Sequence, residues 1–294
     1  MKKIFSILLV GFMALDSLSG QEASTSPWTL KQVSGFNVAY TSLTNWAAGG
    51  EDTFSWNVYL NAAANYKRDK WSWDNALAAD FGMNYTEGNK WQKSVDKLNI
   101  STKAGYAFAQ HWYASLLGDF LTQFAEGHKN AADKLAGAKY VSRFMSPGYI
   151  TIALGADYKP NKNFSLLVSP VAGKLTLVTD DYLSEQGAYG VTKGKKGFAE
   201  LGASAVANIN QTLWTNLSII SKLTLFSAYN NNFGNIDINW DVMLAYKINK
   251  FLTTTLTTNL IYDDDVKSYD KAGVQHGPKV QFRHIFGLGV SYSL

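Results

Sequence analysis

From Phe54 to Tyr66 the chain alternates residue by residue. Phe54, Trp56, Val58, Leu60, Ala62, Ala64 and Tyr66 fall on one face, and Ser55, Asn57, Tyr59, Asn61, Ala63 and Asn65 on the other. That period belongs to a β-strand and not to a helix, whose same-face residues recur at three and four positions. After the tight link Lys67-Arg68-Asp69-Lys70 the pattern resumes. Trp71, Trp73, Leu77, Ala79, Phe81, Met83 and Tyr85 then share one face, opposite Ser72, Asp74, Asp80, Gly82 and Asn84. Both strands are longer than the usual strand of globular proteins and carry aromatics near their ends with aliphatics between. A tilted strand that crosses a bilayer needs about 9–11 residues in the hydrocarbon, flanked by Trp and Tyr at the interfaces. The stretch Glu51 to Tyr85 therefore predicts a membrane-spanning hairpin.

The same alternation predicts further strands along the whole chain. They cover Gly35 to Ser42, Leu98 to Phe108, Trp112 to Phe124, Tyr149 to Tyr158, Asn163 to Val178, Leu201 to Ile209, Leu217 to Leu225, Ile236 to Ile248, Leu252 to Tyr262 and Phe286 to Leu294. Pro170 cannot donate to a strand ladder, and the apolar positions shift phase from Phe164, Leu166 and Val168 to Leu175 and Leu177. A bulge at Pro170 is the expected cause. Short turns are expected near residues 69, 110, 160, 211 and 250, and longer loops near 46, 89, 132, 188, 232 and 271. That strict alternation of connections, with about 12 strands in all, fits an all-β, transmembrane antiparallel barrel. Short turns would face the periplasm and long loops the outside. The last strand is expected to pair with the first and so leave no open edge in lipid.

Composition agrees with this reading once the lumen is considered. Aromatics make up 14% and charged residues 17% of the chain, against roughly 25% charge in soluble domains. Mean hydropathy is slightly negative, as it is when half of every strand faces a polar interior. Lys2 and Lys3 precede an apolar run from Ile4 to Leu15, with small residues at Ser17, Ser19 and Gly20. This pattern predicts a cleaved signal peptide over 1–20, because so short a run cannot span a bilayer as a helix. Residues 21–34 are then expected as a short periplasmic segment and 35–294 as the barrel. The chain has no cysteine, which excludes disulfide stapling and a lipid-modified N-terminal cysteine. The net charge of +4 comes from dispersed Lys and Arg, so no nucleic-acid partner is expected. The longest basic cluster, Lys193 to Lys196, sits in a glycine-containing loop that suits lipopolysaccharide phosphates or plain solvent.

The string Ser42-Leu43-Thr44-Asn45-Trp46-Ala47-Ala48-Gly49-Gly50 resembles the opening signature of a Bacteroidetes outer-membrane family catalogued as domain of unknown function 3078. Trp73-Asp74-Asn75, Asp96-Lys97-Leu98, Ser146-Pro147-Gly148-Tyr149, Gly155 with Tyr158 and Pro160, and Ser169-Pro170 are similar to its later landmarks. The resemblance extends over nearly all of the chain after the leader. It implies an outer-membrane barrel and assigns no activity.

Candidate chemistry is sparse. His111 lies four residues before Ser115, but the turn and the strand should point them into different compartments. His128, His276 and His284 fall at the outer side with no matching nucleophile, so no catalytic residue, and no enzyme, is expected. No metal motif occurs, and no cofactor is expected. The acidic pairs Asp180-Asp181 and Asp263-Asp264-Asp265 fit solvated loop bases better than calcium loops, because their spacing is not that of an EF-hand. Asn45, Trp46, Gly49 and Gly50 form the sharpest loop motif, where Trp46 either stacks on a ligand or serves as a girdle aromatic.

The alternation directs Asp74, Asp80, Lys97, Lys103, Asp119, Asp157, Glu200, Lys222, Asp237, Asp241 and Lys247 inward. Charges of both signs inside the wall mean paired networks or a hydrated path. The expected function is a narrow outer-membrane channel or uptake protein for a small solute. Its alternative is a non-conducting surface or assembly protein whose outer loops bind glycan, lipopolysaccharide or a protein partner. Outer-membrane lipid and lipopolysaccharide are the expected surroundings, and the sequence does not determine an oligomeric state.

Overall fold

The computed structural model describes residues 26–42, 52–86, 88, 90–129, 131–230, 234–269 and 275–293. In chain order the strands are β1 (Trp28–Thr41), β2 (Thr53–Arg68), β3 (Trp71–Thr86), β4 (Lys90–Ala109), β5 (Trp112–Thr122), β6 (Gly148–Asn161) and β7 (Phe164–Leu177). They continue with β8 (Gly197–Trp214), β9 (Leu217–Ala228), β10 (Asp237–Lys247), β11 (Leu252–Tyr262), β12 (Lys267–Tyr269), β13 (Gln275–Pro278) and β14 (Gln281–Ser293). Twelve of these close into one antiparallel barrel, in the ring order β1-β14-β11-β10-β9-β8-β7-β6-β5-β4-β3-β2. The ring is sealed by β14 against β1, with Val33 opposite Ser293 and Val38 opposite Leu288. Every strand of the ring thus has two hydrogen-bonded neighbours, which removes the edges that an open sheet would expose.

The alternation sets which side each residue faces. Phe36, Val38, Ile100, Leu116, Ile152, Leu154, Leu201, Phe286, Leu288 and Val290 point outward and are exposed, whereas Tyr59, Leu117, Leu167, Val206, Phe226 and Met243 point inward and are buried. A continuous exposed apolar band of this kind exceeds what the surface of a water-soluble monomer carries. Among the described residues no helix is long and apolar enough to cross a membrane. The buried core lies inside the ring. Leu117, Ala153, Leu167, Ala172, Val206, Phe226 and Ala228 form one cluster on the β5–β9 side. Tyr59, Met243 and Ala245, with Val33 and Ile220, form another on the side of β1, β2, β9 and β10.

The bulge expected at Pro170 is present, as a register shift between Ser169 and Ala172 in the β7–β8 ladder. Several boundaries differ from the sequence reading. The barrel begins at Trp28 and not at Gly35, so residues 28–34 belong to the wall and not to a periplasmic segment. Gln32 and Ser34 take outward positions yet are buried, and these two polar residues interrupt the apolar rhythm that would have revealed the strand. β4 starts at Lys90 instead of near Leu98, leaving only a tight connection after Thr86. β6 runs through Pro160 to Asn161 and β8 runs to Trp214, so the turns follow Asn161 and Trp214 instead of centring on 160 and 211. The final long connection contains the extra hairpin β12–β13. The leader over 1–20, the motif residues Asn45, Trp46, Gly49 and Gly50, and the terminal Leu294 lie outside the described residues.

At the long-loop end, the connections between β5 and β6 and between β7 and β8 fold against each other. Val178, Leu183 and Val191 are buried there, with Tyr140, Tyr182, Ala188, Tyr189 and Phe198 packed around them. Asp180 caps the one-turn helix Asp181–Glu185 by accepting from the Leu183 N–H at 3.0 Å. It also accepts from the Tyr140 hydroxyl at 2.8 Å and from the Arg143 guanidinium at 3.1 Å. The Tyr189 hydroxyl donates to the Val141 carbonyl at 2.7 Å. These contacts make the two loops one ordered platform.

Candidate functional site

The interior of the barrel holds the charged residues, and they form three groups at successive heights. Nearest the short-turn end, Lys103 lies 2.7 Å from Asp157 and 4.0 Å from Asp74, while Lys159 lies 2.6 Å from Asp74 and 3.4 Å from Asp157. Lys159 also donates to Ser72 at 3.0 Å and Lys103 to Ser165 at 3.1 Å. Two ammonium groups and two carboxylates thus balance inside a wall where the Asp157 side chain has no solvent exposure. Buried charges persist when they are balanced by close opposite charges in this way.

The middle group crosses the lumen. Lys97 on β4 bonds Asp241 on β10, and these strands stand six places apart in either direction round the ring. They are diametric, so the pair is a bar across the interior. Asp241 also accepts from Asn259 at 2.9 Å. Lys222 on β9 bonds Asp119 on β5 and donates to Asn99 on β4 at 3.0 Å, and Asn99 donates to Asp119 at 3.0 Å. Asp80 accepts from Asn57 at 3.2 Å. Closer to the short-turn end, Lys31 on β1 reaches Asn163 beside β7 at 3.4 Å, another contact between opposite sides of the ring.

Toward the long-loop end, Lys174 gathers Asp237 at 2.5 Å, Glu200 at 3.4 Å and Asp263 at 3.5 Å. Asp264 accepts from Asn235 at 2.6 Å, and its backbone N–H donates to Asp237 at 3.2 Å. The small cavity left at this mouth, lined by Glu200, Phe226, Asn235, Asp237 and Asp264 among others, measures about 10 Å³, room for about one water. Of the sequence-predicted residues, Lys247 lies at the short-turn end of β10 and is exposed.

Two of the most connected cations, Lys159 and Lys174, were not singled out by the alternation. Lys159 looked like part of a turn, although β6 carries it inward. Lys174 lies just past the bulge that resets the phase of β7, and its direct partner across the ladder, Glu200, was the available signal. Leu117, Leu167, Val206, Phe226 and Met243 stand at inward positions, so the face opposite the apolar band is not uniformly polar. Asp180, read as a solvated loop base, is a helix cap. Among the described residues no group of three or more His, Asp or Glu is arranged to hold a metal. His111 is exposed in the β4–β5 turn, its Nδ1 3.1 Å from the Lys159 carbonyl oxygen, while Ser115 is buried on the inward face of β5. They do not form a nucleophile and base pair.

Residues 38–128 match the family described as "Protein of unknown function (DUF3078)". The DUF3078 match takes in the string from Ser42 to Gly50, Trp73-Asp74-Asn75 and Asp96-Lys97-Leu98. It stops before Ser146 to Tyr149, Gly155 and Ser169-Pro170, so it covers the last four residues of β1 and β2 to β5 instead of nearly the whole chain. No curated protein matches the chain. Solved structures with a similar outline include an outer membrane channel from Pseudomonas putida F1, at 10% identity over 93% of this chain and 98% of that one, with a TM-score of 0.40. The translocator domain of the autotransporter NalP from Neisseria meningitidis has 8% identity over 99% of this chain and 97% of its own, with a TM-score of 0.36. The NanC porin has 8% identity over 88% of this chain and 98% of its own, with a TM-score of 0.38.

Proposed function

We propose that the protein is an outer-membrane barrel that stands closed and acts as a surface scaffold, presenting its packed outer loops to a glycan, lipopolysaccharide or protein partner. The membrane location is supported by the outward apolar band with aromatics at both ends, because lipid is the solvent in which such a band is stable. Closure is carried by one observation: the Lys97–Asp241 bar joins opposite walls of the ring at mid-height. Leu117, Leu167, Val206 and Phe226 pack together inside the ring on the β5–β9 side. A solute path through this interior would have to break this cross-lumen ion pair, whose side chains keep about 19% and 24% exposure, and displace packed apolar side chains. The ordered platform of the β5–β6 and β7–β8 connections gives the scaffold its binding face, since preformed loops bind with a smaller ordering cost.

A narrow channel is the second reading, supported by the mixed charge around Lys174 at the long-loop mouth. Planar-bilayer recording separates the two. The wild-type protein, inserted and folded, is expected to show no steady unitary conductance; a stable conductance from it overturns the scaffold reading and restores the channel. Replacing the Asp180 to Lys196 loop by a short Gly-Ser link should abolish binding to lipopolysaccharide-coated surfaces or cell-surface glycan while the barrel still folds. Unchanged binding would remove the platform from the proposal.

A further inference from the structure

We propose that the outward face of the β2–β3 hairpin, at its short-turn end, is a specific phospholipid site. The inference rests on the membrane reading above and adds to it a place, a set of residues and a ligand class. A groove of about 290 Å³ opens there, walled by Tyr66, Trp71 and Trp73, floored by Ala104, and rimmed by Arg68 and Asp69. The ladders explain its shape. Tyr66, Trp73 and Ala104 lie side by side in one row across β2, β3 and β4, and Arg68, Trp71 and Tyr106 lie side by side in the next row toward the turn. The methyl group of Ala104 between such large neighbours leaves the floor of the groove open.

The walls are held in place. The Trp73 indole N–H donates to Thr102 Oγ1 at 2.7 Å, and the Thr102 hydroxyl donates to Asn75 Oδ1 at 2.8 Å. Asn75 Nδ2 in turn donates to the Ala64 carbonyl at 3.1 Å. Three outward polar side chains therefore satisfy one another instead of facing hydrocarbon unpaired, and they fix the ring that separates the slot from the wall above. Trp28 packs against Tyr66 and Trp73 with centroids 5.2 Å and 5.9 Å away, and Trp71 meets Tyr106 edge-on at 5.0 Å. The result is a rigid apolar slot just inside the aromatic belt.

Charge complementarity names the occupant. The turn Lys67-Arg68-Asp69-Lys70 carries three cations and one carboxylate, and of these Arg68 and Asp69 line the rim where a lipid headgroup would lie. Arg68 is held only loosely by Asp69, at 4.0 Å and with both side chains largely exposed, so its fork of donors is available to a phosphodiester. Lys70 lies over the Tyr106 ring at 5.8 Å, a second cation beside the same slot. An acyl chain in the slot and a phosphate against Arg68 together define a phospholipid.

Native mass spectrometry of the detergent-purified barrel, titrated with dioleoyl phosphatidylethanolamine, tests this. The wild type should retain one lipid under activation that strips the rest. Ala104→Phe fills the slot on a lipid-facing position and should lose that lipid. Arg68→Ser should weaken it about tenfold or more, the size of one charge-assisted hydrogen bond. Lys250→Ser, at another short turn whose cation covers Phe251 at 4.9 Å, should leave it unchanged. The proposal falls if the wild type runs as a heat-modifiable barrel yet retains no lipid. It also falls if Ala104→Phe retains lipid as the wild type does, or if Lys250→Ser weakens it as much as Arg68→Ser. In each of these cases the membrane reading stands; a protein that stays soluble and monomeric without detergent overturns both.

Discussion

Replacing Asp157 by Asn tests whether the interior charges are a closed, balanced set. Asp157 sits between Lys103 at 2.7 Å and Lys159 at 3.4 Å with no solvent exposure of its side chain. With Asp74 completing the group, two positive and two negative charges cancel. Asp157→Asn keeps the shape and leaves one uncompensated positive charge in the wall. At an effective dielectric near 20, the attraction lost is on the order of 5 kcal/mol for each lysine, most of it offset by the desolvation that the carboxylate no longer suffers. The net expected loss is about 3–5 kcal/mol, the usual result of breaking a buried pair from one side. Adding Lys103→Met restores neutrality and leaves the 2.6 Å Lys159–Asp74 pair intact. The double variant should therefore recover most of that loss, because no buried charge is left uncompensated. Urea unfolding of the reconstituted barrel, followed by tryptophan fluorescence and gel mobility, measures all three variants against the wild type. A single substitution costing less than about 1 kcal/mol, or a double variant as unstable as the sum of its singles, would show that water reaches these charges and the interior is open.

Three further outcomes follow from the same geometry. Leu256→Arg, outward and near mid-membrane, should cost about 2–4 kcal/mol. Thr255→Arg should cost about 1–3 kcal/mol by overpacking, because Thr255 is buried and accepts from Asn37 at 3.1 Å; unfolding titrations in lipid vesicles read both, and a harmless change at 256 refutes the membrane, at 255 the filled lumen. Gly155→Ala would place a Cβ 2.0 Å from the Val168 carbonyl oxygen and 2.6 Å from the Ser169 Cα; a loss of at least about 1–3 kcal/mol is expected in the same titration, and an unaffected variant would contradict the close approach of β6 to the bulged β7. In the platform, burial pushes the Asp180 carboxyl upward, but the Leu183 N–H, the Tyr140 hydroxyl and Arg143 outweigh it and hold it below the ordinary carboxylate range. Such a group contributes stability that is fully present above its unfolded value and lost as pH falls through its lower folded value. Amide exchange over residues 178–197 should therefore quicken below about pH 4; exchange that stays flat down to pH 2 would mean that the cap does not hold the loop.

How far the architecture was legible depends on the range of the interaction that sets each part. Period-two alternation is a local property, so Phe54 to Tyr66 and Trp71 to Tyr85 disclose both their strands and their facing without any knowledge of partners. The bulge was legible for a similar reason: Pro170 lacks a donor, and the phase of its neighbours changes on either side of it. The same dependence on local rhythm explains the errors. Gln32 and Ser34 concealed the first half of β1, Pro160 made the end of β6 look like a turn, and the phase reset hid Lys174. The DUF3078 match ends at residue 128, before the later strings Ser146 to Tyr149, Gly155 with Tyr158 and Pro160, and Ser169-Pro170 on which the resemblance also rested.

The sequence by itself determined that strands form and that charges such as Lys97 and Asp241 point away from the apolar face, whereas the long loop it placed near 89 is only a three-residue connection between β3 and β4. Strand formation and facing follow from side-chain chemistry read over a few neighbouring residues. Tertiary structure decided which charges meet. Lys97 and Asp241 are 144 residues apart in sequence, and only the closure and stagger of the ring bring β4 and β10 face to face across the interior. It decided too that Leu117, Leu167, Val206 and Phe226 share one space. Whether an inward apolar residue lines a path or fills it depends on what stands opposite, and that distance is fixed by the number of strands in the ring and their tilt, not by any segment of the chain.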